Sequence, residues 1–208
     1  MAYKDFTLKD LEKKFGINSQ VDKLFDTSSI TKINPSAWLK ESLEYGQELR
    51  LNTEKAKSEA IVMPILIDLK KRNDNFFTIF SGNTLKVDKE QGLSGECDFI
   101  LSANAKAYTI DTPIISVVEA KNDALALGVG QCAAQMYAAK LQNEEDGEPI
   151  DVMYGCVTNS DLWQFLKLEN NHLIIDKNIY YIKELETILG IFQHIIDYYK
   201  SVLEPVPV

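Results

Sequence analysis

The stretch Ile114-Ile115-Ser116-Val117-Val118-Glu119-Ala120-Lys121 constrains this chain more than any other. Its β-branched run reads as a strand, and ALALGVGQCAAQMYAAKLQNE, which follows Asn122-Asp123, reads as an amphipathic helix. A strand that delivers the chain into a long helix implies a layered α/β architecture. The flanking pattern agrees. Residues 7–15 and 20–26 have the spacing of short amphipathic helices, and a longer one follows Pro35 with Trp38, Leu39 and Leu43 on its inner side. Ala56, Ala60, Met63 and Ile67 recur at helical spacing along residues 53–72, where Pro64 removes a backbone donor and should kink the helix. FFTIFSG, NTLKVD and GECDFILS are β-rich, divided by turn residues at Ser81-Gly82-Asn83 and near Gly92 and Gly95. Beyond the acidic turn EEDGEP, three further strands are expected in DVMYGCVTN, LWQFLKLE and HLIID. A last helix places Ile188, Phe192, Ile195 and Tyr199 on one face, ahead of a short tail, EPVPV. The predicted fold is a central mixed β-sheet flanked by helices. The N-terminal helices and the helix carrying Gln131 lie against one side, and the C-terminal helix lies elsewhere on the core.

Composition narrows the chemistry. Cys97, Cys132 and Cys156 are odd in number and set among apolar or small residues, the pattern of buried free thiols, and no three or four Cys and His cluster as a zinc site would. The two histidines, His172 and His194, adjoin no nucleophile, so Ser-His, Cys-His and His-metal chemistry have little to work with. Any reaction must run on carboxylates. Formal net charge is −9, and residues 101–208 hold 7 Lys and Arg against 15 Asp and Glu, which argues against tight unaided binding to nucleic acid. MAYKDFTLKD lacks the apolar run of a signal peptide, and no stretch approaches the roughly 18 apolar residues of a membrane helix. A soluble, cytoplasmic chain without membrane partners is expected.

The carboxylates have a pattern. Strand alternation places Glu119 and Lys121 on one face, with Ala120 pointing away but its carbonyl able to face the same site. In Gly95-Glu96-Cys97-Asp98-Phe99, Glu96 and Asp98 also share a face. If the two strands are neighbours, Asp98, Glu119 and the Ala120 carbonyl surround one position as oxygen ligands, the donor type magnesium selects, with Lys121 beside it as a point charge. Glu96 is the alternative ligand to Asp98. Glu-x-Lys or Asp-x-Lys also occurs at Glu12–Lys14 and Asp68–Lys70, but in helical segments, where the two side chains diverge around the axis.

From SEAIVMPIL through GECDFIL and SVVEAKN to GQCAAQMYAA, roughly residues 57–139, the chain resembles the PD-(D/E)XK nuclease superfamily, in particular the N-terminal nuclease domain of type I restriction motor subunits and related small proteins. The resemblance implies that Asp98 and Glu119 chelate magnesium, or manganese in its place, and that Lys121 orients or helps deprotonate the attacking water. It implies that Glu59 is the helical acid serving a metal-bound water or a second cation, and that Gln131 positions water or DNA. Cys97 stands where the motif has proline. The Gln-x-x-x-Tyr pattern is also irregular, because Gln131 and Gln135 are four apart and Tyr137 follows Gln135 by two. On this reading residues 1–208 form one nuclease-like domain, with a helical part over 1–52, a catalytic core over 53–160 and C-terminal strands and helix over 161–203. The expected activity is metal-dependent DNA endonuclease cleavage, restriction- or repair-like.

Plainer readings stand beside these. Glu119 and Lys121 would form a strand-face ion pair, Glu59 a solvated helix residue, and Gln131 and Gln135 the polar side of an alanine-rich helix. Tyr108, Trp163, Phe165, Tyr180 and Tyr181 fit a core better than a base-stacking surface. Asn83, Asn122 and Asp123 fit turns, and Glu144-Glu145-Asp146 a solvated loop. The second functional reading is a catalytically silent binding or assembly module of the same fold. A third is an active domain that needs a DNA-recruiting partner or a homodimer.

Overall fold

The computed structural model describes residues 2–104, 108–121 and 124–203. Asn122, Asp123 and the tail at residues 204–208, expected above as turn and tail, lie outside the described residues. Helix α1 (Leu8–Phe15) starts at Thr7, whose hydroxyl accepts the Asp10 N–H at 3.2 Å while the Asp10 carboxylate accepts the Thr7 N–H at 3.0 Å. Gly16, at φ +67°, ends it in the left-handed conformation that glycine adopts without strain.

Residues 20–26, expected as a helix, are not one. Strand β1 (Asn18–Asp22) pairs in parallel with β7 (His172–Asp176) at one edge of the sheet. All five of its residues are exposed, and the apolar pair that mimicked a helix face, Leu24 and Phe25, anchors the loop beyond it. Backbone pairing, not side-chain pattern, makes this strand.

Helix α2 (Ala37–Gln47) begins at Ser36, whose hydroxyl accepts the Leu39 N–H at 3.1 Å. Trp38, expected on the inner side, is 40% exposed, with Leu39 and Leu43 carrying the burial. The helical residues 54–72 comprise α3 (Glu54–Lys57), a π-helical turn (Ser58–Val62) and α4 (Met63–Arg72). Pro64 cannot donate to the Ala60 carbonyl, and the wider turn accommodates its ring. That carbonyl rests on Gly46 of α2, where an added Cβ would lie 2.6 Å from it.

The sheet runs β1, β7, β6 (Leu162–Glu169), β5 (Val152–Thr158), β4 (Ile114–Ala120), β3 (Leu93–Ser102), β2 (Thr78–Asp88), with the short β8 (Tyr180–Tyr181) beside β6. It is mixed: β4 and β5 are parallel, as are β1 and β7, and the other neighbours are antiparallel. β2 and β3 form a hairpin that turns at Gly92, φ +88°. The expected turn at Ser81-Gly82-Asn83 is instead the middle of β2. Gly82, at φ +66°, lies opposite Asp98 between the pairs Ser81–Phe99 and Asn83–Cys97, which keep one register, so the strand runs through it. Gly95 is likewise inside β3, where a Cβ would come within 3.0 Å of the Tyr3 ring.

β4 and β5 are buried along their whole length because helices cover both faces. α5 (Ala126–Glu145) lies on one face, with Cys132 and Met136 against Gly155 of β5. α6 (Leu185–Leu203) lies on the other, where Phe192 meets the Trp163 and Phe165 rings of β6 (Leu162–Glu169). α1 packs beside α5, whereas α2 and α4 belong with α6, so the N-terminal helices divide between the two faces instead of sharing one. Ile188, Phe192, Ile195 and Tyr199 are buried together, as their spacing predicts.

Candidate active site

Asp98 and Glu119 meet where the β3–β4 ladder ends. Register pairs Phe99 with Val118, and beyond that pair the Asp98 carboxylate accepts the Ala120 N–H at 2.7 Å. A side chain thus replaces backbone pairing at the point where the strands part. On the far side of β4, the Lys121 N–H donates to the Thr158 carbonyl of β5 at 2.7 Å. Because N–H and C=O of one strand residue leave on the same side, the Ala120 carbonyl is directed toward Asp98.

Glu119 shares a face with Val157 of β5, beneath α5. It is 1% exposed, and its two oxygens have separate partners: Gln135 Nε2 donates to Oε2 at 2.8 Å, and Lys121 Nζ lies 2.7 Å from Oε1. Lys121 Nζ also donates to Gln131 Oε1 at 3.1 Å. Both glutamines expected on α5 therefore reach the site, Gln131 through the lysine and Gln135 through the acid. Gln135 is the deeper of the two, and its Oε1 is buried without a hydrogen-bond partner.

The helix can hold these positions because two residues set its register on β4. Gly128 leaves room for the Lys121 stem, where a Cβ would come within 3.0 Å of Lys121 Cγ and 2.7 Å of Val157 Cγ1. Near the other end of α5, buried Asn143 accepts the Ile114 N–H and donates to the Ile114 carbonyl, both at 2.8 Å, as a neighbouring strand would.

Burial raises the Glu119 pKa to about 8, and the Asp98 charge adds to the effect, against the pull of Lys121 and Gln135. Burial also raises Asp98, opposed by the Ala120 N–H, by Lys121 and by Glu119. For Lys121, burial favours the neutral amine, but the Glu119 carboxylate outweighs it and the pKa rises.

Glu59 stands at the rim. Its side chain is 68% exposed, 3.8 Å from Lys55, and it lines a cleft that ends at Asp98. Glu96 is exposed on the same cleft. Glu54, which the sequence reading passed over, lies five residues before Glu59 and closer to the centre: its charge acts on both Asp98 and Lys121. The available signal was its place in the first turn of the helix that carries Glu59. Among the described residues, no three Asp, Glu, His or Cys side chains are gathered as a ready ion site. The two converging carboxylates and the Ala120 carbonyl supply oxygen donors only, a set that fits a hard divalent cation.

The remaining candidates sort by burial. Trp163, Phe165 and Tyr180 are core, whereas Tyr108 and Tyr181 are exposed. The three cysteines are buried and free. His194 packs edge-on against Phe25, and His172 pairs within the sheet. Among the described residues, no helix is long and apolar enough to cross a membrane. No family model matches the chain, and neither the curated proteins nor the solved structures include a match to it.

Proposed function

We propose that this protein is a magnesium-dependent DNA endonuclease of the PD-(D/E)XK type, with manganese as a substitute. The observation that carries the reading is the meeting of Asp98, Glu119 and Lys121 at the parting of β3 and β4, with their pKa values displaced together. Bound there, a divalent cation would acidify a water molecule and offset charge developing on a phosphate oxygen. Asp98, Glu119 and the Ala120 carbonyl would hold it. Lys121 presents a second, compact positive charge to the phosphate or the water, and Gln131 limits where that charge can swing. Gln135 keeps Glu119 Oε1 turned toward the open side by holding Oε2. Glu59 and Glu54, at the rim, are placed to accept hydrogen bonds from ordered water.

The test is cleavage of supercoiled, linear and single-stranded DNA in magnesium and in manganese. Nicking is expected from the wild type, with loss of about two to four orders of magnitude in Glu119→Gln and Lys121→Ala. Equal, metal-independent activity in all three would remove the reading. A second reading, a silent binding module, is favoured by the acidic surroundings: Glu54, Glu59 and Glu96 adjoin Asp98 with few bases. It predicts no cleavage under any of these conditions.

A further inference from the structure

Asp98 stands between two clefts. The larger, about 490 Å³, runs past Lys55, Ser58 and Ser81; the other, about 390 Å³, runs past Lys4, Lys121 and Gln131. Glu54, Glu96 and Asp98 line both, so the two are halves of one trough that crosses the carboxylates. Two features of the chain form it. Gly82 and Asp98 face each other as the one unpaired position between Ser81–Phe99 and Asn83–Cys97, and Gly82, lacking a side chain, leaves the first half open. The N-terminal turn Tyr3–Asp5 walls the second, because Tyr3 is buried, donates its hydroxyl to the Leu85 carbonyl at 3.2 Å and packs on Gly95. Gly130 of α5 fixes the same segment, since a Cβ there would lie 2.3 Å from the Phe6 carbonyl. That anchoring sets Lys4, which is exposed, on the rim. Lys55 stands in the other half, also exposed, its pairing with Glu59 loose at 3.8 Å. Among the described residues lining the trough, they are the only bases apart from Lys121.

We propose that the trough is the track of one phosphodiester strand, with Lys4 and Lys55 each meeting a backbone phosphate on opposite sides of the reacting one. This rests on reading Asp98 and Glu119 as the reacting centre, and adds the course that a polymeric substrate takes across it. The acidic walls at Glu54, Glu59 and Glu96 repel phosphate elsewhere, so contacts beyond the reacting phosphate are confined to those two points. Lys4 and Lys55 together then contribute about −1.4 to the slope of log K against log salt for a single strand.

The experiment is fluorescence anisotropy of a labelled oligothymidylate in magnesium, titrated with sodium chloride. It uses Glu119→Gln, so that binding is read without cleavage, and adds Lys4→Ala, Lys55→Ala or, at the far edge of the sheet, Lys23→Ala. Lys4→Ala and Lys55→Ala should each weaken binding several-fold and make the slope shallower by about 0.7, with Lys23→Ala unchanged. Circular dichroism checks folding, which two exposed lysines should not disturb. Unchanged affinity and slope in both variants, or no binding at all, would overturn the track. Cleavage by the wild type is scored separately. Lysine-dependent binding without cleavage would keep the track and remove the nuclease, whereas cleavage with lysine-independent binding would do the reverse.

Discussion

Glu119 keeps its proton toward pH 8 because it is buried beside a second carboxyl, and that ties stability to pH and to metal. Its folded pKa lies above the ordinary 4.5, so the folded state binds a proton that the unfolded chain releases. Stability is therefore highest below the ordinary pKa and falls as pH rises through the window from 4.5 to about 8. Thermal unfolding in a chelator should show this decline, and Glu119→Gln should flatten it; an unchanged pH profile in the variant would assign the decline to another group. A cation bound there would displace the Glu119 proton, so magnesium affinity should rise as pH approaches about 8, with proton release. Gln135→Leu should weaken metal binding by about ten- to a hundredfold through loss of the hold on Glu119, while Gln131→Leu should slow cleavage and leave metal affinity near wild type. Isothermal titration and single-turnover rates on the two variants separate these roles. Asp98, Glu119 and Lys121 were legible as residue types at strand spacing, and Gln131 through the family resemblance. The weight of Gln135 was not, because burial that far under a helix depends on the small residues Gly128 and Gly155, which fix how closely α5 approaches the sheet.

Elements were legible where their side chains carry a period, and illegible where the backbone alone decides. β4, α5 and α6 follow their sequence patterns closely, whereas β1 has no buried residue and exists through pairing with β7. Gly82 signals a turn in sequence but lies inside β2, because Cys97 and Phe99 continue the ladder in one register on both sides of it. Asn143 looks like one more polar residue of α5, yet it is the clamp between that helix and the start of β4. Asn143→Leu leaves the Ile114 N–H and carbonyl without their partner and should cost about 1–3 kcal/mol in chemical denaturation. Gly46→Ala drives a methyl into the Ala60 carbonyl and should cost a similar 1–3 kcal/mol, since a backbone atom has little room to give. A neutral effect in either would show that α5 or α2 shifts freely on its neighbours.

At the scale of the molecule, the proposed nuclease activity runs against the charge. The chain carries a formal net −9, and its clefts set Glu54, Glu59 and Glu96 against Lys4, Lys55 and Lys121. An anionic polymer approaching such a surface gains little from long-range attraction, so association should be slow. The apolar face of α6 is occupied by the sheet, with Val202 the large apolar residue it leaves exposed. A DNA-recruiting partner or a second copy would have to use another surface. The proposed activity depends on a cation held between β3 and β4. Titration calorimetry of magnesium into the wild type and into Asp98→Ala and Glu119→Ala tests that claim most directly. Binding by the wild type that vanishes in both variants is the predicted result; no heat from the wild type at millimolar magnesium, or equal binding by all three, would contradict it.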